Sequence, residues 1–261
     1  MKLANSNRVL PVFALMCWLA VPSFAQRGPA GVKPAARPPA NAPPPESTPR
    51  WPDGRVNLGS VPGKAGYWEV RPGLGGAPRA ADVPFQPWAR ALYTYRQANA
   101  TLYPPLVGCK PATGPSFFNA PGFEIVDVPE QKSVFILDIA GPHSWRVIYM
   151  DGRPHPQGED VRPTYLGHSV GKWEGDTLVI DSVGFNEKQW VFGAYPTTSQ
   201  LHLTERISRP NLTTLSYEAT IDDPGAYTGP WSGRWTISEA SASKWIPGGE
   251  IFEYVCQDAG R

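Results

Sequence analysis

Residues 167–185 read GHSVGKWEGDTLVIDSVGF, and the way this stretch turns back on itself decides the architecture. On either side of Glu174-Gly175 apolar and polar residues alternate, the period of a strand with one buried and one wet face. A two-residue turn at Glu174-Gly175 sets Trp173 opposite Asp176, Val170 opposite Val179 and His168 opposite Asp181. The hairpin is therefore predicted to hold an imidazole beside a carboxylate.

Downstream, residues 201–224 (LHLTERISRPNLTTLSYEATIDDP) repeat the pattern around a spacer at Pro210-Asn211-Leu212. Leu201, Leu203, Glu205 and Ile207 share one side, so Glu205 interrupts an apolar face. His202, Thr204 and Arg206 share the other, where Glu218 and Thr220 of the return strand can meet them. The runs FEIVDV, SVFILDI, SWRVIY, GRWTISE and EIFEYVC carry the same β-branched and aromatic signal. One helix opens at Pro87, where proline has no amide to lose, and recurrence of Trp88, Leu92 and Tyr95 on one face predicts that this face packs on the sheet. Short links between strands favour antiparallel neighbours, since a parallel pair needs a long crossover. The expected fold is all-β: an antiparallel up-and-down, lipocalin-like barrel or strongly bent sheet with one short N-terminal helix. A two-sheet sandwich has the same periodicity and stays open.

At the N-terminus Lys2 and Arg8 precede an apolar run from Val9 to Val21, followed by the small residues Ser23 and Ala25. This is the pattern of a secretory signal cleaved after Ala25, and it predicts a periplasmic or secreted protein. The run is shorter than a bilayer span, and every later apolar stretch is interrupted, so no membrane span is expected. Residues 26–49 are dominated by proline and alanine and read as a disordered linker. Residues 50–84 read as an extended segment docked on the domain, with Tyr67, Trp68 and Val70 offering one short strand, and residues 85–261 as the barrel.

Without the leader, Lys plus Arg falls from 24 to 22 against 23 Asp plus Glu. That balance, with no basic run, argues against a nucleic-acid partner. Cys109 and Cys256 are the cysteines left, and in an oxidising compartment they are expected to form a disulfide, two separate buried thiols being the alternative.

Chemistry-bearing residues concentrate in the middle of the mature chain. His143, His155, His168 and His202 are interleaved with Arg146, Arg153, Asp181, Asn186, Glu205 and Arg206. His168 and Asp181 read as a general-base dyad, and Glu205 as a further acid or base. Arg146, flanked by Trp145 and Val147, can reach a ligand carboxylate or Glu205 itself. Arg153 and His155 lie in a turn-rich loop suited to a pocket rim, and His143, Asn186, His202 and Arg206 complete the candidate ligand contacts. The blander readings are a satisfied strand histidine, a structural ion pair and surface decoration. No histidine pair has tight ligand spacing, and phosphate-binding glycine loops, Gly-x-Ser-x-Gly and His-Glu-x-x-His are absent, so neither metal nor cofactor is expected. Ten tryptophans and ten tyrosines can line a site for an apolar or aromatic small molecule.

At DGRPHP (151–156), GHSVGKWEGDTLVIDSVGFN (167–186), LHLTER (201–206) and IDDPGAYTGPW (221–231) the chain resembles a family of exported β-rich proteins of environmental bacteria to which no activity is attached. The resemblance implies export and a β-rich domain over roughly residues 87–256, and it assigns no residue a role. Three functions stand as expectations: binding of a small molecule held by the barrel, cofactor-independent lyase, isomerase or hydrolase chemistry with His168, Asp181 and Glu205 as acid and base at a site in the barrel, and an envelope structural or interaction module.

Overall fold

The computed structural model describes residues 44–61, 67–69, 75–99, 109–111, 114–118, 122–138 and 144–239. His143, Cys256, the leader, most of the proline-rich stretch and the run EIFEYVC lie outside the described residues. The contact pattern separates residues 1–41 from residues 42–261, and every described residue belongs to the second unit.

Among the described residues ten strands are formed: β1 (Tyr67–Glu69), β2 (Gly75–Gly76), β3 (Phe123–Val128), β4 (Ser133–Asp138), β5 (Trp145–Tyr149), β6 (His168–Glu174), β7 (Thr177–Val183), β8 (His202–Asn211), β9 (Thr214–Asp222) and β10 (Trp231–Glu239). Strands β3 to β10 pair in chain order, and β1 bonds both β3 and β10, which closes the wall into a barrel. The short β2 lies on the same edge of β10 as β1, opposite Arg234 and Trp235. A barrel, not a sandwich, is the answer to the choice the periodicity left open. The closing strand comes from residues 50–84, so that segment supplies part of the wall as well as packing on it.

One pairing departs from the expected pattern. Strands β5 and β6 are parallel, with Ile148 beside Ser169 and Tyr149 beside Val170. Residues 150–167 provide the crossover that such a pair requires. This strap leaves β5 where the Met150 amide bonds the Lys132 carbonyl, and it is tied again where Thr164 bridges Phe185 in parallel beyond the end of β7. It carries no α-helix, only a short 3-10 turn at Gly158–Asp160.

Alternation decides what fills the interior. Inward positions hold Ile136, Ile148, Leu178, Ile180, Leu203, Ile207, Leu215 and Tyr217, all at 1% exposure or less. Phe117 and Phe118, from a 3-10 turn at Gly114–Phe118, are equally buried; Phe118 packs against Phe123 and Tyr217, and Phe117 against the edge of Phe118. Exposures this low leave no solvent-sized space beside these side chains, so the described interior is a packed core.

The helix α1 (Pro87–Ala98) starts with proline in its first turn, as expected, but packs with a different face. Ala89 is buried, Tyr93 contacts Phe85 and Tyr195, and Arg96 lies 4.6 Å over Trp190. Trp88 and Tyr95, expected to face the sheet, are 46% and 54% exposed. Helical spacing allows either stripe, and the aromatic pocket formed by Phe85, Tyr195 and Tyr227 selects the Ala89–Tyr93 side because a small residue there lets the helix approach closely. No helix among the described residues is long and apolar enough to cross a membrane.

Candidate functional site

The β6–β7 hairpin forms, but its register differs from the expected one. Glu174 pairs with Thr177, Val170 with Asp181, and His168 with Val183. The turn residues are Gly175 and Asp176, with Gly175 at φ +59°. A hairpin turn with glycine first among its two central residues accepts this conformation, whereas the expected turn would have placed Glu174 at positive φ. Moving the turn by one residue shifts every partner by two, which preserves the faces. His168 and Asp181 therefore remain on the same outward side, and a third group joins them.

That group is His155, delivered by the strap. Its Nδ1 lies 2.9 Å from Nδ1 of His168, and its Nε2 lies 2.8 Å from Oδ1 of Asp181. The other oxygen of Asp181 is 2.7 Å from Nε2 of His202 on β8. The result is a continuous chain, His168–His155–Asp181–His202, on the outer face of the wall. Tyr149 stacks on His168 with ring centroids 5.3 Å apart, and the Arg153 guanidinium lies 3.9 Å over Tyr149 while gripping Asp151.

Proton positions follow from the partners. An ionised carboxylate only accepts, so His155 and His202 both donate from Nε2 to Asp181. With the imidazoles neutral, Nδ1 of His155 carries a lone pair and accepts from Nδ1–H of His168. Nε2 of His168 is then left as a free lone pair. A proton arriving there can be passed through Nδ1 to His155, bringing the positive charge beside the carboxylate.

Electrostatics agree with these roles. Partial burial is the largest influence holding the His168 imidazolium below its ordinary value, and repulsion from His155 and Arg153 adds to it against the opposite pull of Asp151. Burial alone would raise Asp181, but the hydrogen bonds and charges of His202 and His155 together outweigh it and hold that carboxyl below its ordinary value. For both groups the folded-state value lies under the unfolded one, so the unfolded chain takes up protons more readily and stability rises with pH. Stabilisation from His168 is complete above about pH 6.5 and is lost as pH falls through its folded value; that from Asp181 is complete above about 3.8 and goes at lower pH. Melting temperature measured against pH should show both declines, and His168→Gln should remove the upper one. A flat profile through the neutral-to-mildly-acid range would contradict the assignment.

The backbone leading into His168 is equally constrained. Gly167 sits at φ +68°, and a Cβ there would stand 2.7 Å from the Val183 carbonyl and 2.9 Å from the Phe185 ring. Gly167→Ala is expected to cost about 1–3 kcal/mol in urea unfolding and to shift the His168 ring resonances.

The remaining candidates are placed elsewhere. Glu205 and Arg146 point inward, forming a buried ion pair in which Nη1 reaches Oε1 at 3.0 Å and Nη2 contacts Oε2. Ser169, Ser182 and the Tyr217 hydroxyl complete the network at 3.0, 2.7 and 2.8 Å. The barrel wall thus separates Glu205 from His168 and Asp181, and the three do not share one cavity. Arg206 is on the outer face, paired with Glu174 at 3.0 Å. Asn186 shapes the loop after β7, accepting from the Lys188 amide and donating its own amide to Thr164.

Tyr149 and Asp151 went unnoticed in the sequence, although both follow from it. Tyr149 shares the outward side of β5 with Trp145 and Val147, and Asp151 opens the turn that carries Arg153. Among the described residues no three of histidine, cysteine, aspartate and glutamate are arranged to hold a metal ion.

Fold and site together define a closed β-barrel with a histidine–carboxylate chain on its outer wall, held there by a strap. Comparison with protein-family models, curated proteins and solved structures finds no match to this chain.

Proposed function

We propose that this is an exported bacterial protein that binds a small apolar or aromatic compound against the outer wall of its barrel and transfers a proton on it through His168. The observation that carries the reading is the hydrogen-bonded chain His168–His155–Asp181, which with both imidazoles neutral leaves Nε2 of His168 as an unshared lone pair and gives charge a route toward Asp181. General bases of this kind are neutral imidazoles oriented by a carboxylate through a hydrogen bond.

The apolar class of the ligand is supported by the wall next to His168. Val126, Phe135 and Val147 lie side by side on the outer face of β3, β4 and β5, with Leu137 beside Trp145. Trp145 is 63% exposed. One step from the Ile148–Ser169 pairing, His168 stands next to Val147. The outward residues of β9 and β10, among them Glu218, Thr220, Ser232 and Arg234, are polar or charged instead. An apolar wall ending at a base suits an aromatic or aliphatic substrate carrying one acidic proton, as isomerase and lyase reactions use, while in a hydrolase the same base would take its proton from water. Arg153 and His202 flank this surface.

Export rests on the N-terminal pattern of Lys2, Arg8, the apolar run and Ala25 and on the resemblance of the motif regions to exported proteins, and it is what makes a Cys109–Cys256 disulfide expected. The test is a screen of aromatic and aliphatic compounds for saturable binding and for product by mass spectrometry, on the wild type and on His168→Ala. Turnover lost with binding retained supports the acid–base role. Saturable binding without turnover in the wild type makes the barrel a carrier, and absence of any binding at this wall overturns the proposal.

A further inference from the structure

Away from the histidine chain, the structure assigns a second site, which binds a small aromatic carboxylate. It is an open cleft of about 430 Å³ at the end of the barrel where the β3–β4 turn, the start of the strap and the far half of β6 meet. Its lining combines three cations, Arg55, Lys132 and Lys172, with one carboxylate, Asp127, and the apolar side chains of Met150 and Trp173.

The charges are not equally engaged. Arg55 bonds Asp127 at 2.8 Å and Asp53 at 2.7 Å, so it and Asp127 form the fixed part of the wall. Lys172 meets Glu174 at 2.8 Å, but the lysine is largely exposed and Glu174 is shared with Arg206, and a surface pair of this kind is readily exchanged for another partner. Lys132 has no ion-pair partner among the described residues. Its backbone, at φ 46° and ψ 49°, occupies the left-handed region usually left to glycine or asparagine. The Met150 amide bonds the Lys132 carbonyl, which fixes this turn against the strap. Two available ammonium groups over a thioether and an indole suit an anion attached to a flat apolar body: the carboxylate faces the lysines and the ring lies on Met150 and Trp173.

The probe is 2-naphthoate, compared with the uncharged 2-naphthylmethanol by saturation-transfer NMR and calorimetry at low ionic strength. Naphthoate is expected to bind saturably and roughly tenfold more tightly than the alcohol. In Lys132→Met/Lys172→Met the two affinities should converge. No saturable binding, equal affinity for both probes in the wild type, or an undiminished affinity in the double variant overturns the assignment.

Discussion

Replacing Arg146 alone by methionine, or Glu205 alone by leucine, is expected to lower the unfolding free energy by about 3–5 kcal/mol, because each leaves an uncompensated charge inside the core. Both groups are sealed from water, at 3% and 0% side-chain exposure. Burial alone would push the Arg146 guanidinium down, yet the Glu205 carboxylate outweighs it and holds the guanidinium above its ordinary value. Removing both charges together should recover most of the loss, since desolvation of the pair cancels much of its attraction. One donor would still be stranded: the Tyr217 hydroxyl, which bonds Glu205 at 2.8 Å. The triple variant Arg146→Met/Glu205→Leu/Tyr217→Phe should therefore be more stable than the double, while Ser169 and Ser182 keep each other at 2.9 Å. Urea unfolding of the four variants decides the matter. Additive losses in the double variant would show that the two residues act independently.

The second large effect concerns His168. For any compound the protein turns over, His168→Ala is expected to reduce kcat by about 10²- to 10⁴-fold, the range general-base catalysis contributes. Asp181→Asn tests the chain behind it. An amide can donate, so it no longer requires the Nε2–H form of His155, and the lone pair on His168 is no longer enforced. Its kcat should fall with the fold intact, whereas Glu205→Gln should act on stability and leave the rate of the folded fraction close to that of the wild type. Diethyl pyrocarbonate acylates unprotonated imidazoles, so the modification rate of His168 against pH gives a readout independent of substrate. Its midpoint should lie below 6.5 in the wild type. A rate that is indifferent to Asp181→Asn would remove the carboxylate from the proton path.

What the sequence disclosed depended on whether a signal was local. The strand runs from β3 to β10 were visible because period-two alternation is a property of consecutive residues, and the inward position of Glu205 and outward position of His202 followed from the same alternation. The contact between Arg146 and Glu205 was one of two readings that this parity allowed. The pairing of His155 with His168 and Asp181 was not legible, since it depends on the parallel entry of β6 and on the strap that this entry demands. Nothing in residues 150–167 marks a crossover, as the segment contains no α-helix. The hairpin register was missed for a smaller reason: Gly175-Asp176 is a glycine-first turn, and reading Glu174-Gly175 as the centre ignored which position must take positive φ. The helix face was ambiguous because aromatic residues occur on both sides of α1, and only the pocket at Phe85 and Tyr195 chooses between them.

Closure by β1 has a kinetic meaning. Residues 67–69 must find both β3 and the far end of β10, near Glu239, so the ring is completed by contacts between opposite reaches of the polypeptide. Until they dock, two rows of unpaired amides and carbonyls stay open to neighbouring molecules. Late joining of distant segments slows folding, and a truncation that deletes Tyr67–Glu69 should convert the closed barrel into sticky, edge-pairing sheets.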